Sequence, residues 1–544
     1  MIDKEIFHMQ LSNEQADNCN KQFLYYSDKV KSSPYDAEAV NGLGECYYFG
    51  YGTAKNTDEG LKLIETAAKL GSAKANFNLA NIFARETNYE KAVSLYETAA
   101  DLGYTDSYFE LGNLYRNLDS ERDSDKALHY YKLAADHNNP NAQLVFAKLY
   151  SKGEIVPQNS EFAHKYFEKS AKGGNEEAQF QTGFDYENGV GTEPDLSKAV
   201  YWYEQASSKR HKEASYRLAV LNLRSEDKNT KENAVKLLEA AADNGNSDAM
   251  YKLGELYKYG SQYVPKDLAK SKYYFDKGSN LDNGNCTYEL ALIDKDIELM
   301  KKAERQGDIN ASVYLGKIEE GAQHYENAYR YYSKAYEKNS PDAAYRIGKM
   351  FELGRGLNFD IIKALELYSF AASNGNVDSM REIGICYAKG KGISADINQA
   401  IAWLSKAADN ADAEAALFLS QLLMETGSEA NINEAEIILT KIKENNISEI
   451  KYKAAYYLAL LYTKSERYAD AFWLWSELAE NGNRNAQFNL AMFYCFGLGA
   501  NVNYEKAKEW WRKSAENGHK AAHKYYNILT KNKLEELLFK KEST

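Results

Sequence analysis

Two histidines in the last thirty residues have the spacing of a metal-binding pair. His519 and His523 stand four residues apart in GHKAAHKYY, so on one helix both imidazoles would project from the same face and could ligate zinc. However, Gly518 and His519 fall where a turn between helices is expected, and the sequence has no glutamate in an HExxH arrangement. We therefore predict solvated or stacking histidines and no metal site.

The cysteines could act as nucleophiles, metal ligands or disulfide partners. The five of them, at positions 19, 46, 286, 386 and 495, form no CxxC and no regular pairs. Cys46 and Cys386 occupy the same place in two similar segments, GECYYFG and GICYAKG, which favours a packing role because buried free cysteine behaves as a small hydrophobe. No serine–histidine pair stands out, so no catalytic residue is predicted. The alternative is a hydrolase with an unrecognised site among Cys46, Cys386 or the two histidines.

Glycine pairs of the form Gly-x-Gly recur and could in principle approach a phosphate. They follow helical rather than strand patterns, lack the third glycine of a dinucleotide fingerprint, and are not accompanied by GxxxxGK[ST]. We interpret them as turns in which glycine supplies a positive φ at the end of a helix, and we predict no cofactor. The pairs are Gly50/Gly52, Gly189/Gly191, Gly354/Gly356, Gly390/Gly392 and Gly497/Gly499.

In most units a short polar residue stands four positions before the first alanine of the second helical segment. Metal binding or acid–base chemistry would be one explanation. Their fixed place before a helix instead favours N-capping, which stabilises a helix by about 1 kcal/mol through an orphan N–H group. The predicted caps are Asn56, Asn88, Asp123, Asn159, Asp195, Thr230, Asp267, Asp360, Asp396, Asn431 and Asn503, and the pattern fails at His324 and Arg467.

All these residues belong to a repeat that covers nearly the whole chain. Its first segment carries a small residue, then Leu, Gly and Tyr at offsets 4, 5 and 8, as in AMYKLGELYKYG from Ala249. These offsets lie on one face of an α-helix. The second segment follows KAxxxYxxAA, as in KALELYSFAA at 363–372, again with one small-residue face.

The repeat recurs about every 36 residues, which gives about fourteen units and a partial one from Ala521. Spacing is short after Cys286 and long after Ala415. The units begin at Ala39, Ala75, Ser107, Ala142, Ala178, Ala214, Ala249, Cys286, Ala311, Ala343, Ser379, Ala415, Ala454 and Ala486.

This pattern resembles the Sel-1-like repeat family, an α/α relative of the tetratricopeptide repeat, over about residues 37–530. The resemblance implies an all-α fold. It would be a right-handed α/α superhelical solenoid of about fourteen helix–turn–helix repeats, with N- and C-terminal capping helices. It also implies an adaptor or scaffold role in protein complexes.

Irregular spacing divides the predicted array into blocks. We expect changes of superhelical curvature near residues 285 and 450, and an additional helix at each end to cover an otherwise open apolar face. The predicted divisions are an N-terminal capping helix at 1–36, repeat blocks at 37–285, 286–453 (with a short irregular unit at its start) and 454–530, and a C-terminal capping helix and tail at 531–544.

Composition and charge indicate which classes of partner and which cellular compartment suit the chain. With 67 basic and 79 acidic residues the net charge is −12, and most basic residues have acidic neighbours, which disfavours nucleic acid. No run of about 18 apolar residues exists, so we predict no membrane insertion. The start, MIDKEIFHMQLSNEQ, lacks the apolar core of a signal peptide, and unpaired cysteines suit a reducing compartment. We predict a cytoplasmic protein.

A solenoid presents a concave surface built from its first helices. The residues at variable offsets on this surface could determine which partner binds. Offsets 6 and 9 vary most in charge, and their mixed signs favour a protein or peptide partner, although an ordinary solvated helix face is the alternative. We predict a non-enzymatic scaffold or adaptor; the alternative is an inhibitor or immunity protein that blocks one cognate enzyme or toxin. The predicted partner-binding residues are Asn113, Arg116, Lys148, Glu255, Lys258, Lys317, Lys349 and Glu352.

Overall fold

A computed structural model of the chain is all-helical. It describes residues 13–117, 121–444 and 448–531, and these contain thirty helices and no strand. The described residues form two units, divided between Ile293 and Asp294 at the end of the sixteenth helix. The all-α prediction is therefore confirmed.

The first unit begins with a single helix, continues with seven helical hairpins and ends with another single helix. Its helices are α1 (Asn13–Ser32), α2 (Ala37–Phe49), α3 (Thr57–Lys69), α4 (Ala73–Arg85), α5 (Tyr89–Asp101), α6 (Asp106–Arg116), α7 (Glu121–Asp136), α8 (Pro140–Lys152), α9 (Ser160–Lys172), α10 (Glu176–Asn188), α11 (Leu196–Ser208), α12 (Lys212–Asn222), α13 (Lys228–Asp243), α14 (Ser247–Tyr259), α15 (Leu268–Ser279) and α16 (Gly284–Asp294).

The second unit has six hairpins between a short first helix and a short last one. Its helices are α17 (Ile297–Arg305), α18 (Ile309–Gly321), α19 (Tyr325–Tyr336), α20 (Pro341–Leu353), α21 (Ile361–Ser373), α22 (Val377–Lys389), α23 (Ile397–Asp409), α24 (Ala413–Thr426), α25 (Glu429–Glu444), α26 (Ser448–Lys464), α27 (Tyr468–Glu480), α28 (Arg484–Phe496), α29 (Tyr504–Glu516) and α30 (Ala522–Thr530).

Within each unit every hairpin packs on its neighbours in sequence, as α10 does on both α9 and α11. The small residue at the start of each repeat allows this packing, because it lets neighbouring helices approach closely. Ala178 and Ala249 are fully buried, and so are the helix-facing rings of Tyr203 and Phe275. The predicted solenoid of stacked helix–turn–helix repeats is thus what each unit contains.

The glycine at offset 5 of the first helix allows the second helix to approach closely. A Cβ atom added at Gly183 would lie 2.7 Å from the Tyr203 ring, and one at Gly348 would lie 2.6 Å from the Tyr368 ring. Real Cβ atoms do not approach a ring carbon so closely, because close-packed interiors leave no space to yield. Glycine is therefore a packing requirement at these positions.

The Gly-x-Gly turns are confirmed. The two glycines of a turn are required for different structural reasons. Gly189 and Gly191 have φ of +69° and +67°, in the left-handed region that favours glycine. Gly189 caps the C-terminus of α10. Gly191 lies against the backbone at Ser160, where the preceding repeat begins its second helix, so a Cβ there would overlap the Ser160 carbonyl. The turn thus ends one helix and packs on the previous repeat.

Eight of the predicted N-caps are confirmed, and three were wrong. Thr230 lies inside α13, which Asp227 caps instead, while Asp123 and Asn431 lie inside α7 and α25. These three helices each have 16 residues and begin about a turn earlier than the spacing suggested, so the capping position moves upstream. No side-chain cap forms at His324 or Arg467, as predicted. The confirmed caps are Asn56, Asn88, Asn159, Asp195, Asp267, Asp360, Asp396 and Asn503.

The two irregular spacings correspond to helices of unusual length. After Cys286, α16 has 11 residues and α17 only 9, and the turn between them contains Lys295 with φ of +53°. After Ala415, α24 has 14 residues and α25 has 16. The division into blocks at 37–285, 286–453 and 454–530 stays a prediction.

The described residues include a helix at the N-terminal end of the array, in the region predicted to cap it. Helix α1 packs on α2, with the Phe23 and Tyr47 rings in edge contact at 5.6 Å. The predicted C-terminal helix at 531–544 lies outside the described residues except for Lys531. Among the described helices, none combines the length and the apolar character that a bilayer-spanning segment requires.

Candidate interaction surface

The start of each first helix is tied to the preceding repeat by a polar side chain. Asn175 caps α10 by accepting the Ala178 N–H at 2.9 Å, and its amide group donates to the Asn141 side chain at 3.0 Å. Sequence analysis missed this link, although a short polar residue recurs three positions before the small residue of most repeats. Equivalent double contacts are made by Asn139 with Ala142 and Asp106, and by Asn376 with Ser379 and Asp342.

In the repeat that begins at Ala214, a histidine takes this place. The Nδ1 atom of His211 accepts the Ala214 N–H at 3.3 Å, so its Nε2–H faces the Glu177 carboxylate at 3.3 Å. The hydrogen bond from His211 holds the pKa of Glu177 at about 2, below its ordinary value, and Lys148 at 3.2 Å adds to the effect. Lys148, a predicted partner-binding residue, therefore already neutralises an acid of the next first helix.

Two other predicted partner-binding residues, Glu352 and Asn113, accept a hydrogen bond from a tyrosine on the second helix of their own repeat. Tyr368 donates its hydroxyl hydrogen to Glu352 at 2.9 Å, and Tyr131 donates to Asn113 at 2.9 Å. The tyrosine rings are fully buried, and burial raises the pKa of both hydroxyls. These polar contacts satisfy hydroxyl groups that would otherwise be buried without a partner.

Lysines at the predicted positions connect successive first helices. Lys349 lies 2.7 Å from Glu352 and 3.3 Å from Glu382 of the next repeat. Burial alone would raise the pKa of Glu352, but hydrogen bonds from Lys349 and Tyr368 outweigh it, so the pKa is lowered. Lys258 makes the equivalent contact with Glu289 at 2.6 Å in the first unit. In each unit, a partly buried lysine of one first helix therefore pairs with an acid of the next one.

Of the remaining predicted residues, Arg116 and Lys317 are exposed, whereas Glu255 is partly buried. Arg116 is exposed and reaches Glu154 at 3.5 Å. Glu255 accepts hydrogen bonds from Tyr251 and Lys252 of its own helix.

Lys317 is exposed on α18. The eight predicted residues thus lie on the first helices of five repeats rather than in one cluster. Five lie in the first unit and three in the second, and their role in binding stays a prediction.

The cysteines and histidines that could serve catalysis or metal binding are mostly buried or stacked on other side chains. Cys46 and Cys386 are buried, and burial raises the pKa of both thiols, that of Cys386 to about 11. His519 stacks on Phe488 with ring centroids 4.4 Å apart, while His523 is exposed. In the described part of the chain, no group of three or more His, Cys, Asp or Glu side chains is placed to hold a metal ion.

One buried ionisable pair was not singled out by sequence analysis. His164 of α9 contacts Asp185 of α10 through Nδ1 and Oδ2 at 3.0 Å, and both residues are buried. Burial raises the pKa of Asp185 although His164 opposes the change. Within the described residues, no serine, threonine or cysteine side chain forms a hydrogen bond with His164. The pair joins two consecutive repeats. Asp185 stands at offset 7 of its first helix, where other repeats carry apolar residues such as Ile82 and Leu149, so this polar exception is the signal that the sequence held.

Comparison with known proteins gives eleven matches to the Sel1 repeat, which together span more than half of the chain. The matched residues are 37–72, 73–104, 105–139, 140–175, 176–211, 212–246, 247–283, 315–340, 341–376, 377–412 and 484–519. The unmatched stretches between these repeats, 284–314 and 413–483, contain the irregularly spaced units.

Relatives include proteins from bacteria and fungi. An uncharacterised protein of Neisseria meningitidis serogroup B is 26% identical over 349 residues, which are 56% of this chain and 73% of the relative. The chitin synthase regulator SKT5 of Saccharomyces cerevisiae is 27% identical over 258 residues, which cover 42% of this chain and only 37% of the yeast protein.

A solved structure supports the fold. The protective antigen c5321 of uropathogenic Escherichia coli, described as displaying an SLR fold, superimposes with a TM-score of 0.59. It is 21% identical in sequence, and the alignment covers 84% of this chain and 97% of that one. At this identity the similarity concerns the fold alone.

Proposed function

Because the chain belongs to the Sel1 repeat family, whose repeats are protein-interaction modules, we propose that it is a non-enzymatic scaffold or adaptor. It binds a protein or peptide partner on the face formed by its first helices. The compartment we propose is the cytoplasm, since all five cysteines are free and most are buried.

The observation that carries this proposal is the contrast between constant and variable positions in the repeats. Packing positions keep the same residue types from repeat to repeat, such as the buried alanines and the glycine opposite the second-helix ring. Offsets 6 and 9 of the first helices instead change in sign and length from Lys148 to Glu255 to Lys317. Positions that vary on a rigid framework are where a repeat array can encode the choice of partner.

The second candidate function is regulation of one cognate enzyme, including its inhibition. The yeast relative is named a chitin synthase regulator, which supports an action on an enzyme, although this chain spans only 37% of that protein. An immunity protein against a toxin belongs to the same class, because it would also occupy the functional site of a single partner. The two candidates differ in the number of partners and in their effect on activity.

Affinity purification of the full chain followed by mass spectrometry tests both candidates. A scaffold should retain several partners, whereas an inhibitor should retain one partner in fixed stoichiometry and abolish its activity. Replacing the exposed Lys317 by Glu should reduce recovery of a partner bound on the first helices. Arg330→Glu, an exposed cation on the second helix α19 of the same repeat, is the matched control. Recovery of no partner by the wild-type chain would contradict the proposal.

A further inference from the structure

The last repeat of the described chain has a charge opposite to that of the whole protein. Residues 481–531, which contain α28, α29 and α30, include eight basic and three acidic residues, a net charge of +5 in a chain of −12. The preceding stretch, residues 429–480, has six basic and nine acidic residues. We call residues 481–531 the basic repeat. Because net charge governs association rather than the choice of fold, this reversal points to a partner.

The positive charge remains when the ion pairs of the basic repeat are set aside. Arg512 pairs with Glu516 at 2.9 Å, and Lys513 pairs with Glu509 at 2.8 Å. Within residues 13–117, 121–444 and 448–531, neither the other six cations nor the one remaining acid, Glu505, forms an ion pair. All of these cations except Lys508 are exposed. The six are Arg484, Lys506, Lys508, Lys520, Lys524 and Lys531.

Three of the unpaired cations lie where the first helices of this region begin. Arg484 is the first residue of α28, Lys520 precedes α30 by two residues, and Lys524 lies in the first turn of α30. A Cβ atom added at Gly518, in the turn before α30, would lie 3.8 Å from the Arg484 guanidinium. Burial lowers the pKa of His519, and the positive charge of Arg484 lowers it further. Arg484 therefore reaches the turn that carries Lys520. We call Arg484, Lys520 and Lys524 the basic edge.

The four preceding first helices begin with an acid instead. Helices α20, α22, α24 and α26 have Asp342, Asp378, Glu414 and Glu449 in their first turns, whereas α28 and α30 have no acid there. The helix dipole favours an acid at this end and disfavours a cation. The basic edge thus departs from a local rule that its neighbours follow, and such departures are expected at functional sites.

The contacts of the basic repeat favour a protein segment over other anionic partners. Lys513 lies over one face of the Trp510 ring at 4.3 Å, and Lys506 lies over the Tyr494 ring at 5.1 Å. Single-stranded nucleic acid stacks its bases on open aromatic rings, so rings already covered by lysine disfavour it. An anionic membrane is an extended plane and would also meet the acids that begin the preceding first helices. A short segment of chain can contact the basic edge alone.

We propose that the basic edge binds a short acidic segment of a partner protein. The carboxylates of this segment would face Arg484, Lys520 and Lys524, and the wider charge of the basic repeat would speed their encounter. This assignment rests on the proposed scaffold function and names the chemistry of one partner segment. It also adds a second surface, because none of the eight predicted partner-binding residues lies in the basic repeat.

The test measures binding of two fluorescein-labelled peptides to the full chain by fluorescence anisotropy. One peptide alternates glutamate with serine, and the other has glutamine in place of each glutamate. Two double variants alter the basic edge, Lys520→Glu with Lys524→Glu and Lys520→Gln with Lys524→Gln. The control is Lys62→Glu with Lys236→Glu, which changes the net charge as much as the first variant does, but at exposed lysines of the first unit.

We expect the glutamate peptide to bind at least about tenfold more tightly than the glutamine peptide. Its affinity should fall about tenfold or more in the glutamate variant, about threefold or more in the glutamine variant, and less than about twofold in the control. Raising the salt concentration from about 0.05 M to about 0.5 M should also weaken binding about tenfold or more. Circular dichroism and melting should show every variant folded, because only exposed side chains are changed. If the glutamate variant nevertheless unfolds, the glutamine variant decides the question.

Several results would overturn the assignment. Equal binding of the two peptides, no binding of the glutamate peptide, or binding insensitive to salt would remove the charge argument. An equal loss of affinity in the control and in the glutamate variant would mean that net charge, and not the basic edge, is responsible. Tighter binding of an oligothymidine strand, or of vesicles of phosphatidylserine and phosphatidylcholine, lost in the basic-edge variants, would make the ligand a nucleic acid or a membrane.

Failure of this inference can be told apart from failure of the proposed function. If natural partners co-purify equally with the wild-type chain and with the basic-edge variants, the scaffold function stands and the basic edge is not their site. If no partner co-purifies with the wild-type chain, the scaffold function fails whatever the peptides do.

Discussion

At the scale of single residues, the hairpins depend on a glycine that faces an aromatic ring. In the repeat formed by α14 and α15, a Cβ atom at Gly254 would overlap the fully buried Phe275 ring. The ring cannot move aside without disturbing its own neighbours, because the interior is close-packed. This residue pair therefore sets the distance between the two helices.

Gly254→Leu should lower the free energy of unfolding by about 1–3 kcal/mol or more, because the added side chain overpacks the hairpin. Urea denaturation of the purified chain measures the change. Gly321→Leu is a suitable control, since a Cβ at Gly321 meets nothing within 4 Å and its φ is ordinary. An unchanged midpoint for Gly254→Leu would contradict the assigned register of the repeats.

The capping histidine leads to a prediction about pH. The pKa of Glu177 is about 2 in the folded chain against about 4.5 ordinarily, so its contacts stabilise the fold above pH 4.5 and lose that effect as the pH falls toward 2. The Glu177 side chain is 41% exposed, so solvent screening limits the contribution to about 1 kcal/mol or less.

Glu177→Gln should therefore be less stable than the wild type at neutral pH, and the difference should shrink as the pH approaches about 3. Urea unfolding at several pH values measures this. Glu161→Gln, at an exposed carboxyl on α9, should show no such convergence. A difference for Glu177→Gln that grew on acidification would reverse the sign of the argument.

At the scale of helices, two classes of N-cap have different roles. Asn159 caps the second helix α9 by accepting the Phe162 N–H at 2.9 Å. Asn175 caps the first helix α10 and also donates to Asn141 of the preceding repeat. Of these two caps, only Asn175 therefore contributes to stacking between repeats.

Asn159→Ala should cost about 1 kcal/mol, the usual value of a lost cap. Asn175→Ala should cost more, by about 0.5–1.5 kcal/mol, because a second hydrogen bond is lost with it. Thermal or urea unfolding of both variants gives the comparison. If the two variants are equally destabilised, the contact with Asn141 contributes nothing to stacking.

Most of the helical architecture could be predicted from sequence because its determinants are local. The small residue, the glycine opposite a ring and the caps such as Asn56 recur at fixed distances along the chain. The cap of α13 was misplaced at Thr230 because distance was counted back from an alanine, whereas the helix begins a turn earlier. A fixed spacing cannot detect a helix that has been extended.

The interaction surface was less predictable, because its contacts join residues of different repeats. Variation at offset 6 or 9 suggested free charges, but Lys349 pairs with Glu382, thirty-three positions further on. One sequence does not show such pairs, since many acids lie at similar distances.

At the scale of the whole molecule, each unit is held together by contacts between helices that are near in sequence. Repeat arrays of this kind have stabilities that are sums of single-repeat and neighbour terms. A fragment of residues 1–293 should consequently keep the helical circular dichroism per residue of the full chain. A fragment that is largely unfolded would show that its helices need partners from elsewhere in the chain.

The central claim is that the chain binds a partner protein through its repeats, and hydrogen–deuterium exchange with and without a co-purified partner tests it most directly. The account predicts slower exchange of amides in a contiguous set of first helices, α18 and α20 among them. Exchange that is unchanged by the partner, or slowed only in the middle of second helices, would contradict the account.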